Sequence, residues 1–391
     1  MRHQQRWTDR KIAQRLALIE PLVYRGRVEL PAFRCLPLPS PSAPPPVAPA
    51  VDDSAWQVIP PDSFWGAWRQ DFVLRTRFTL PADWPAESCA LHLPIGSAGE
   101  FSHPETLAYI DGEPLSSVDR HHHEVRLPAQ YCDGQEHTLA LHGWVGNLKN
   151  DPTSRLQMRA CHAVQVDQPT RDFIALARCA LGTANALAED DPARGQLYTA
   201  LDEAFILLDT REPFGAAFYA SLPAAHEALR GSISRCGPPL PVEVYAAGHA
   251  HIDVAWLWVL GQTRRKAQRT FYNALRLAEE FPGFVFAQTQ PQLYDFIRQD
   301  DPALFALIQQ AAARGNWEPL GGMWVEADCN LSGGESLARQ FLLGRSYFRS
   351  DVILDQREVT DANLRRVSEA LVQFASLNQR LPCPAAGNSE T

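Results

Sequence analysis

The chain of 391 residues carries 36 basic and 45 acidic side chains, a net charge of −9. That balance argues against a general nucleic-acid or anionic-membrane surface, because both need a basic field. With 45% hydrophobic and 21% charged residues, the composition is that of an ordinary globular protein able to bury sizeable cores, and the length predicts two to three domains. Nothing in the balance bears on a neutral partner such as a sugar.

The first residues, MRHQQRWTDRKIAQRLALIEPL, lack the uninterrupted apolar core of a signal peptide. No later stretch is long and apolar enough to span a bilayer, so the sequence predicts a cytoplasmic protein. The eight cysteines are scattered and form no CxxC pair. They indicate neither a zinc finger nor a disulfide framework and are expected to be reduced, several as small core residues.

In chain order, residues 8–24 read as an amphipathic helix with Thr8 as N-cap and Ile12, Leu16, Ile19 and Leu22 on one face. The run LPLPSPSAPPPVAPA (36–50) is expected to be an extended linker that closes an N-terminal segment, 1–50. Over 51–167, short β-branched and aromatic runs alternate with turn signals, Asp111-Gly112 among them. That pattern predicts a β-sandwich or jelly roll. Residues 168–240 read as a helical connector: Phe173, Leu176 and Ala177 open one helix, Leu197 to Leu208 form a second and Ala217 to Leu229 a third, with Pro238, Pro239 and Pro241 ending it.

From 241 to 350 strand and helix alternate, which predicts part of a parallel α/β domain. VEVYAAG, FVFAQ (284–288) and WEPLGG (317–322) are its strands. Residues 262–281, 291–299 and 302–314 are its helices, and Ser332 with Glu335 reads as a capping box opening another through about 349. Residues 351–391 form a divergent tail with no assigned structure.

The sharpest feature is GHAHIDVAWLW (248–258). His249, His251 and Asp253 follow a strand at two-residue spacing, so an extended backbone turns all three to one side. They stand at the carboxyl end of that strand, where open parallel sheets bind ligands. Imidazole nitrogen and carboxylate oxygen suit Zn²⁺. The spacing does not choose between the two histidines and leaves at least one ligand to be found elsewhere. A lone His-x-Asp would read as ordinary hydrogen bonding at a strand end; two histidines, an aspartate and two tryptophans in one run shift the balance to a site. Trp256 is expected to be a sugar platform and Trp258 a core residue. A second polar run, LGGMWVEADCNLSGGES (320–336), alternates Glu326, Asp328 and Asn330 on a loop, suited to acid–base work or to a metal site, with Glu335 read as a helix cap. His121, His122 and His123 read as surface residues of a strand.

GHAHIDVAWLW, with QTQPQLYDF (288–296) and GGMWVEADCNLSGGESLARQFLLGRSYF (321–348), resembles the catalytic domain of glycoside hydrolase family 38, the α-mannosidases, and is most similar to the cytosolic and bacterial type. The resemblance implies a seven-stranded α/β barrel-like catalytic domain preceded by a β-sandwich and a helical segment. It implies a retaining hydrolase acting on terminal α-linked mannose of oligosaccharides, with an oligomer possible in the full-length family. It also implies Zn²⁺, or another divalent ion such as Co²⁺, held by His251 and Asp253, with Trp256 stacked under the mannose. The family's nucleophile is an aspartate in a run like W-x-P-D-x-F-G-Y, soon after the helix that ends here near Phe348; it also binds zinc, and a further histidine ligand and the general acid follow. No such run follows Ser350, and Asp351 and Asp355 lack its glycine and aromatic context. The expectation is a mannosidase-family chain truncated or frameshifted after about residue 350. The alternative is a non-catalytic remnant or weak mannose-binding module. A zinc deacetylase could also use His-x-Asp, but the surrounding residues disfavour it.

Overall fold

The computed structural model describes residues 7–96, 104–147, 153–236 and 245–349. The tail 351–391, with Asp351 and Asp355, lies outside the described residues, as do Cys383 and Pro238, Pro239 and Pro241. The chain forms two compact units that divide between Ala246 and Ala247. It is a mixed α/β protein with several antiparallel sheets and, among the described residues, no closed barrel. No described helix is long and apolar enough to cross a membrane.

The first unit opens with α1 (Thr8–Ile19), which buries Ile12, Leu16 and Ile19. Trp7, not Thr8, occupies its N-cap, and no side chain caps it. A 3₁₀ turn, Glu20–Val23, begun by Pro21, then leads straight into strand. The strands are β1 (Tyr24–Glu29), β2 (Phe33–Leu38), β3 (Gln57–Ile59), β4 (Phe64–Trp65), β5 (Asp71–Thr79), β6 (Cys89–His92), β7 (Glu105–Ile110), β8 (Glu113–Val118), β9 (Glu124–Arg126), β10 (Glu136–Trp144), β11 (Leu156–Gln157) and β12 (His162–Val166). One antiparallel sheet runs β1-β12-β6-β9, a second runs β3-β2-β5-β10-β7-β8, and β4 pairs with β11. Both larger sheets feed one buried cluster, with Phe33, Phe72, Leu74 and Leu141 from one and Leu91 and Val125 from the other. That is the packing a sandwich requires. Asp111 and Gly112 both take positive φ, 52° and 88°, as the two-residue hairpin between β7 and β8 demands.

The proline run is not simply a linker. Leu36, Pro37 and Leu38 belong to β2, where Pro37 pairs with Phe72 of β5. β3 covers only Phe33–Cys35 on the other flank. At Pro37 the strand is therefore an edge, where a missing N–H costs no ladder bond. Beyond β2, the fully buried Arg75 donates to the carbonyls of Pro49 and Val51 at 3.3 and 3.1 Å and lies 3.6 Å from the Asp53 carboxylate. A buried guanidinium needs such acceptors, and they pin the end of the run to the sheet. The β segment thus begins at Tyr24, upstream of residue 51.

His121 to His123 lie in the turn before β9, not on a strand. His122 and the backbone of His121 bond the Asp119 carboxylate, and His123 is half-buried beside His92, with ring centroids 6.0 Å apart. Every described cysteine is a free thiol; Cys35, Cys89 and Cys161 are buried, and burial pushes each thiol up to about 12, leaving them inert.

Three helices complete the unit: α2 (Gln168–Ala186), α3 (Pro192–Leu207) and α4 (Ala216–Ile233). Asp167 and Asp191 cap the first two by accepting from Thr170 N and Ala193 N. Phe173, Ala177, Leu201, Phe205 and Leu222 pack with Ile12, Leu16 and Ile19 in one core, so α1 belongs to this bundle.

The second unit contains α5 (Leu260–Glu280), β13 (Phe286–Gln288), α6 (Pro291–Asp300), α7 (Pro302–Arg314), β14 (Trp317–Pro319) and α8 (Gly334–Tyr347). β13 and β14 pair in parallel. Of VEVYAAG, the described part (245–248) contributes a single parallel bridge, Gly248 to Phe286. An aromatic cluster lies at the centre: the Trp317 ring stands 4.7 Å from Phe286 and 5.1 Å from Phe271.

His92 makes the first unit sensitive to acid. Burial, reinforced by His123, pushes its imidazole down to about 4 from an ordinary value of 6.5. The unfolded chain therefore takes up this proton before the folded chain does. Stability is lost as pH falls from about 6.5 to about 4. His122 and His137 are raised, by hydrogen bonds to Asp119 and, against burial, to Asp111, and they act with the opposite sign, so the test is a difference. In thermal melts across this window, His92→Gln should lose less stability on acidification than the parent. Parallel pH profiles for the two proteins would remove the assignment.

Candidate functional site

β13 decides where the polar loops meet. On one flank it pairs with β14; on the other, Gly248 N donates to Val285 O and Gly248 O accepts from Ala287 N, each at 2.8 Å. Glycine is needed there, since a Cβ on Gly248 would stand 2.6 Å from Cζ of Phe284. Three parallel segments end together, so the chain after Gly248, after Gln288 and after Pro319 leaves from one edge.

The three residues expected to face one side do not act alike. His249 turns its Nδ1 to the carbonyl of Ala287 at 2.8 Å and so braces the sheet. His251 lies between two carboxylates, with Nδ1 2.7 Å from Glu326 Oε2 and Nε2 3.2 Å from Asp253 Oδ1. A carboxylate only accepts. Of the two ring nitrogens, Nδ1 makes the shorter carboxylate contact. The other oxygen of Glu326 accepts from Thr289 Oγ1 at 2.7 Å.

Gln290 ties two of these loops together. Its side-chain Nε2 donates to Ile252 O at 2.9 Å, and its Oε1 accepts from Glu326 N at 3.2 Å. The residue is 2% exposed and sits at φ 64°, just before Pro291 opens α6. Thr263 does the same for the tryptophan loop. Its buried hydroxyl accepts from Ala255 N and from Trp258 Nε1, both at 3.0 Å, and donates to Asp253 O at 3.3 Å. Ala255 has φ 67°, the left-handed region that alanine enters only when its surroundings compel it. Trp256 keeps 55% of its surface exposed and meets Trp258 edge to face at 5.5 Å. Trp258, expected in the core, is half-buried; Thr263 and the Lys266 ammonium, 4.3 Å above its ring, hold it in place.

The alternating run Glu326, Asp328, Asn330 also divides. Only Glu326 reaches the histidine. Asp328 closes its own turn by accepting from Asn330 N at 2.8 Å. The loop is fixed to α8: Trp324 N and Val325 N donate to the backbone and side-chain oxygens of Gln340, and a Cβ on Gly344 would strike Gly322 O. The Ser332–Glu335 capping box does not form. Gly333 is the N-cap, so Glu335 falls one residue short of the position that reaches back, and it pairs with Arg339 instead.

Among the described residues, no group of three or more His, Cys, Asp or Glu side chains is arranged to hold a metal ion. The pair His251 Nε2 and Asp253 Oδ1 nevertheless has a suggestive separation. Two donors each 2.0–2.1 Å from a tetrahedral ion stand about 3.3 Å apart. Sequence reasoning missed Thr263, Thr289 and Gln290. The available signal was QTQ, three polar residues where an apolar strand runs into a proline.

Residues 241–358 match the glycosyl hydrolases family 38 N-terminal domain. The chain is similar to Alpha-mannosidase 2C1 of Homo sapiens, 29% identical over 301 residues covering 73% of this chain and 27% of that one. It is also similar to Alpha-mannosidase G of Dictyostelium discoideum, 40% identical over 108 residues covering 28% and 10%. Alpha-mannosidase of Saccharomyces cerevisiae is 39% identical over 106 residues covering 27% and 10%. The chain therefore spans no more than about a quarter of the length of these relatives.

Two substitutions test how the loops are held. Thr263→Val leaves the amide of Ala255 and the indole N–H of Trp258 without their acceptor, at a cost of about 1–3 kcal/mol. Urea denaturation should show that loss, and hydrogen exchange should quicken at Ala255; unchanged exchange there would discard the hub role. Gly344→Ala forces the Gly322 backbone away from α8. It should destabilise by about 1–3 kcal/mol, as overpacking does, and quicken exchange at Trp324 and Val325. A neutral melt would contradict the close approach.

Proposed function

The chain belongs to glycoside hydrolase family 38 through its residues 241–358, and from that premise we propose that its second unit is the zinc- and sugar-holding part of a retaining α-mannosidase. The observation that carries the reading is the facing pair, His251 Nε2 and Asp253 Oδ1, 3.2 Å apart. A ring nitrogen and a carboxylate oxygen at that separation can both lie on one ion. In this reading His251 and Asp253 hold Zn²⁺, and Co²⁺ suits the same donors. Bound there, the ion supplies Lewis-acid polarisation of the sugar hydroxyls.

The chain's own residues do the rest. Trp256 keeps 55% of its surface exposed, so its indole can meet the apolar C–H face of a mannose ring. Thr263 and Ala255 fix the height of that platform above Asp253. The substrate is a terminal α-linked mannose of an oligosaccharide, a reading supported by the mannosidase names of the similar proteins. Retention needs two carboxyl groups, one attacking and one passing a proton. No residue of this chain is assigned to either role.

A second reading is mannose binding without hydrolysis, for which the exposed Trp256 would suffice. One set of measurements decides between the two. With zinc present, the purified chain should release 4-nitrophenol from its α-mannoside, His251→Ala and Asp253→Ala should abolish release, and Trp256→Ala should raise KM on the order of 2- to 10-fold, the worth of one aromatic contact. Calorimetric binding of mannose that needs Trp256, with no release of 4-nitrophenol, would establish the second reading. Neither binding nor release would reject both.

A further inference from the structure

Glu326 is a half-exposed carboxylate with an unusual number of commitments. Oε2 accepts from His251 Nδ1 at 2.7 Å, Oε1 accepts from Thr289 Oγ1 at 2.7 Å, and its backbone N–H donates to Gln290 Oε1 at 3.2 Å. An exposed ion pair contributes only about 0–1 kcal/mol to stability, so stability does not explain three constraints on one residue. The constraints specify direction. Thr289 fixes the rotation of the carboxylate. Gln290 fixes its backbone to the carbonyl of Ile252, the residue between His251 and Asp253. The loop carrying the carboxylate and the loop carrying the histidine are thereby held in register by one buried side chain.

We propose that Glu326 is the positioning residue of this site: it holds His251 as the Nδ1–H tautomer and turns Nε2 toward Asp253, with Thr289 and Gln290 as its anchors. Asp253 is the weaker candidate for this role, because its Oδ1 makes the longer contact, 3.2 Å against 2.7 Å, and lacks the Thr289 and Gln290 anchors of Glu326. A histidine whose outer nitrogen donates to a carboxylate is the general means of fixing ring orientation and raising ligand basicity in metal sites. In its consequence for metal affinity the inference rests on the zinc reading above; in its consequence for the tautomer it does not.

The test uses the full 391-residue chain, labelled with ¹⁵N-histidine and free of metal. Long-range ¹H–¹⁵N correlation spectra of the neutral imidazole, with His251 assigned by its loss in His251→Gln, report which nitrogen carries the proton. The parent should show Nδ1–H. Glu326→Ala should lose that preference, while Glu326→Gln, whose side-chain oxygen still accepts, should keep it. An Nε2–H ring in the parent, or an unchanged ring in Glu326→Ala, overturns the proposal. Zinc alone, measured by competition with a chromogenic chelator, is the second readout. Glu326→Ala should bind it about 10- to 100-fold more weakly, with Glu326→Gln between Glu326→Ala and the parent. If Glu326→Gln loses zinc as completely as His251→Ala, Glu326 is itself a ligand and the positioning role fails. If zinc affinity ignores His251→Ala while the tautomer still follows Glu326, the zinc reading fails and the positioning role stands.

Discussion

The parallel pairing of Phe286–Gln288 on both flanks is the constraint from which the site follows. One strand takes Gly248 on one side and Trp317–Pro319 on the other. Its carboxyl end is therefore a place where residues far apart in sequence, His251, Thr289 and Glu326, can converge without long loops. Aromatic packing holds that strand. Trp317 Nε1 donates to the hydroxyl of Tyr294 at 2.9 Å, and that hydroxyl donates to Gln288 O at 3.0 Å. Two buried polar atoms thus satisfy each other and the last strand carbonyl, avoiding the penalty of leaving them unpaired. Apolar mass beneath and polar groups at the rim are two consequences of one short sheet.

Above that sheet, order comes from single side chains that each bond several backbone groups. Thr263 serves three partners and Gln290 two. Both act where the backbone is strained: Ala255 and Gln290 itself lie at positive φ, at a cost of about 1–3 kcal/mol each. Each hydrogen bond returns about 0.5–1.5 kcal/mol, so two or three bonds offset one strained residue and little remains for stability. Loops built this way contribute a fixed geometry rather than a more stable fold, which is what a preorganised ligand site needs.

The sequence showed the elements more clearly than their ends or their roles. Helical periods at Ile12–Leu16–Ile19 and Leu197–Leu201–Phe205 are visible because burial on one face imposes them. The Asp111-Gly112 hairpin is visible because few residue pairs accept two positive φ values. Caps were misplaced at Thr8 and Ser332, since cap identity depends on a shift of one residue that periodicity does not resolve. The run 36–50 was expected to be a linker throughout, although its first three residues, Pro37 among them, fit a strand edge. At the site, alternation identified His249, His251 and Asp253 as one group, but it could not tell that His249 would spend its ring on a backbone carbonyl. Gln290 and Thr263 left no signal beyond polarity, because their work depends on partners between 5 and 38 residues away.

The charge at the rim gives the arrangement its chemical sense. His251 sets one ring nitrogen against each of two carboxylates, Glu326 and Asp253. Two acidic groups are thereby brought together at the carboxyl end of the sheet. The Lys266 ammonium lies over the Trp258 ring. Converging carboxylates of this kind favour a bound cation, which is the physical ground of the zinc reading proposed above. The exposed face of Trp256 is uncharged. The chain's net charge of −9 has no bearing on that ground; the two carboxylates that converge on one ring supply it.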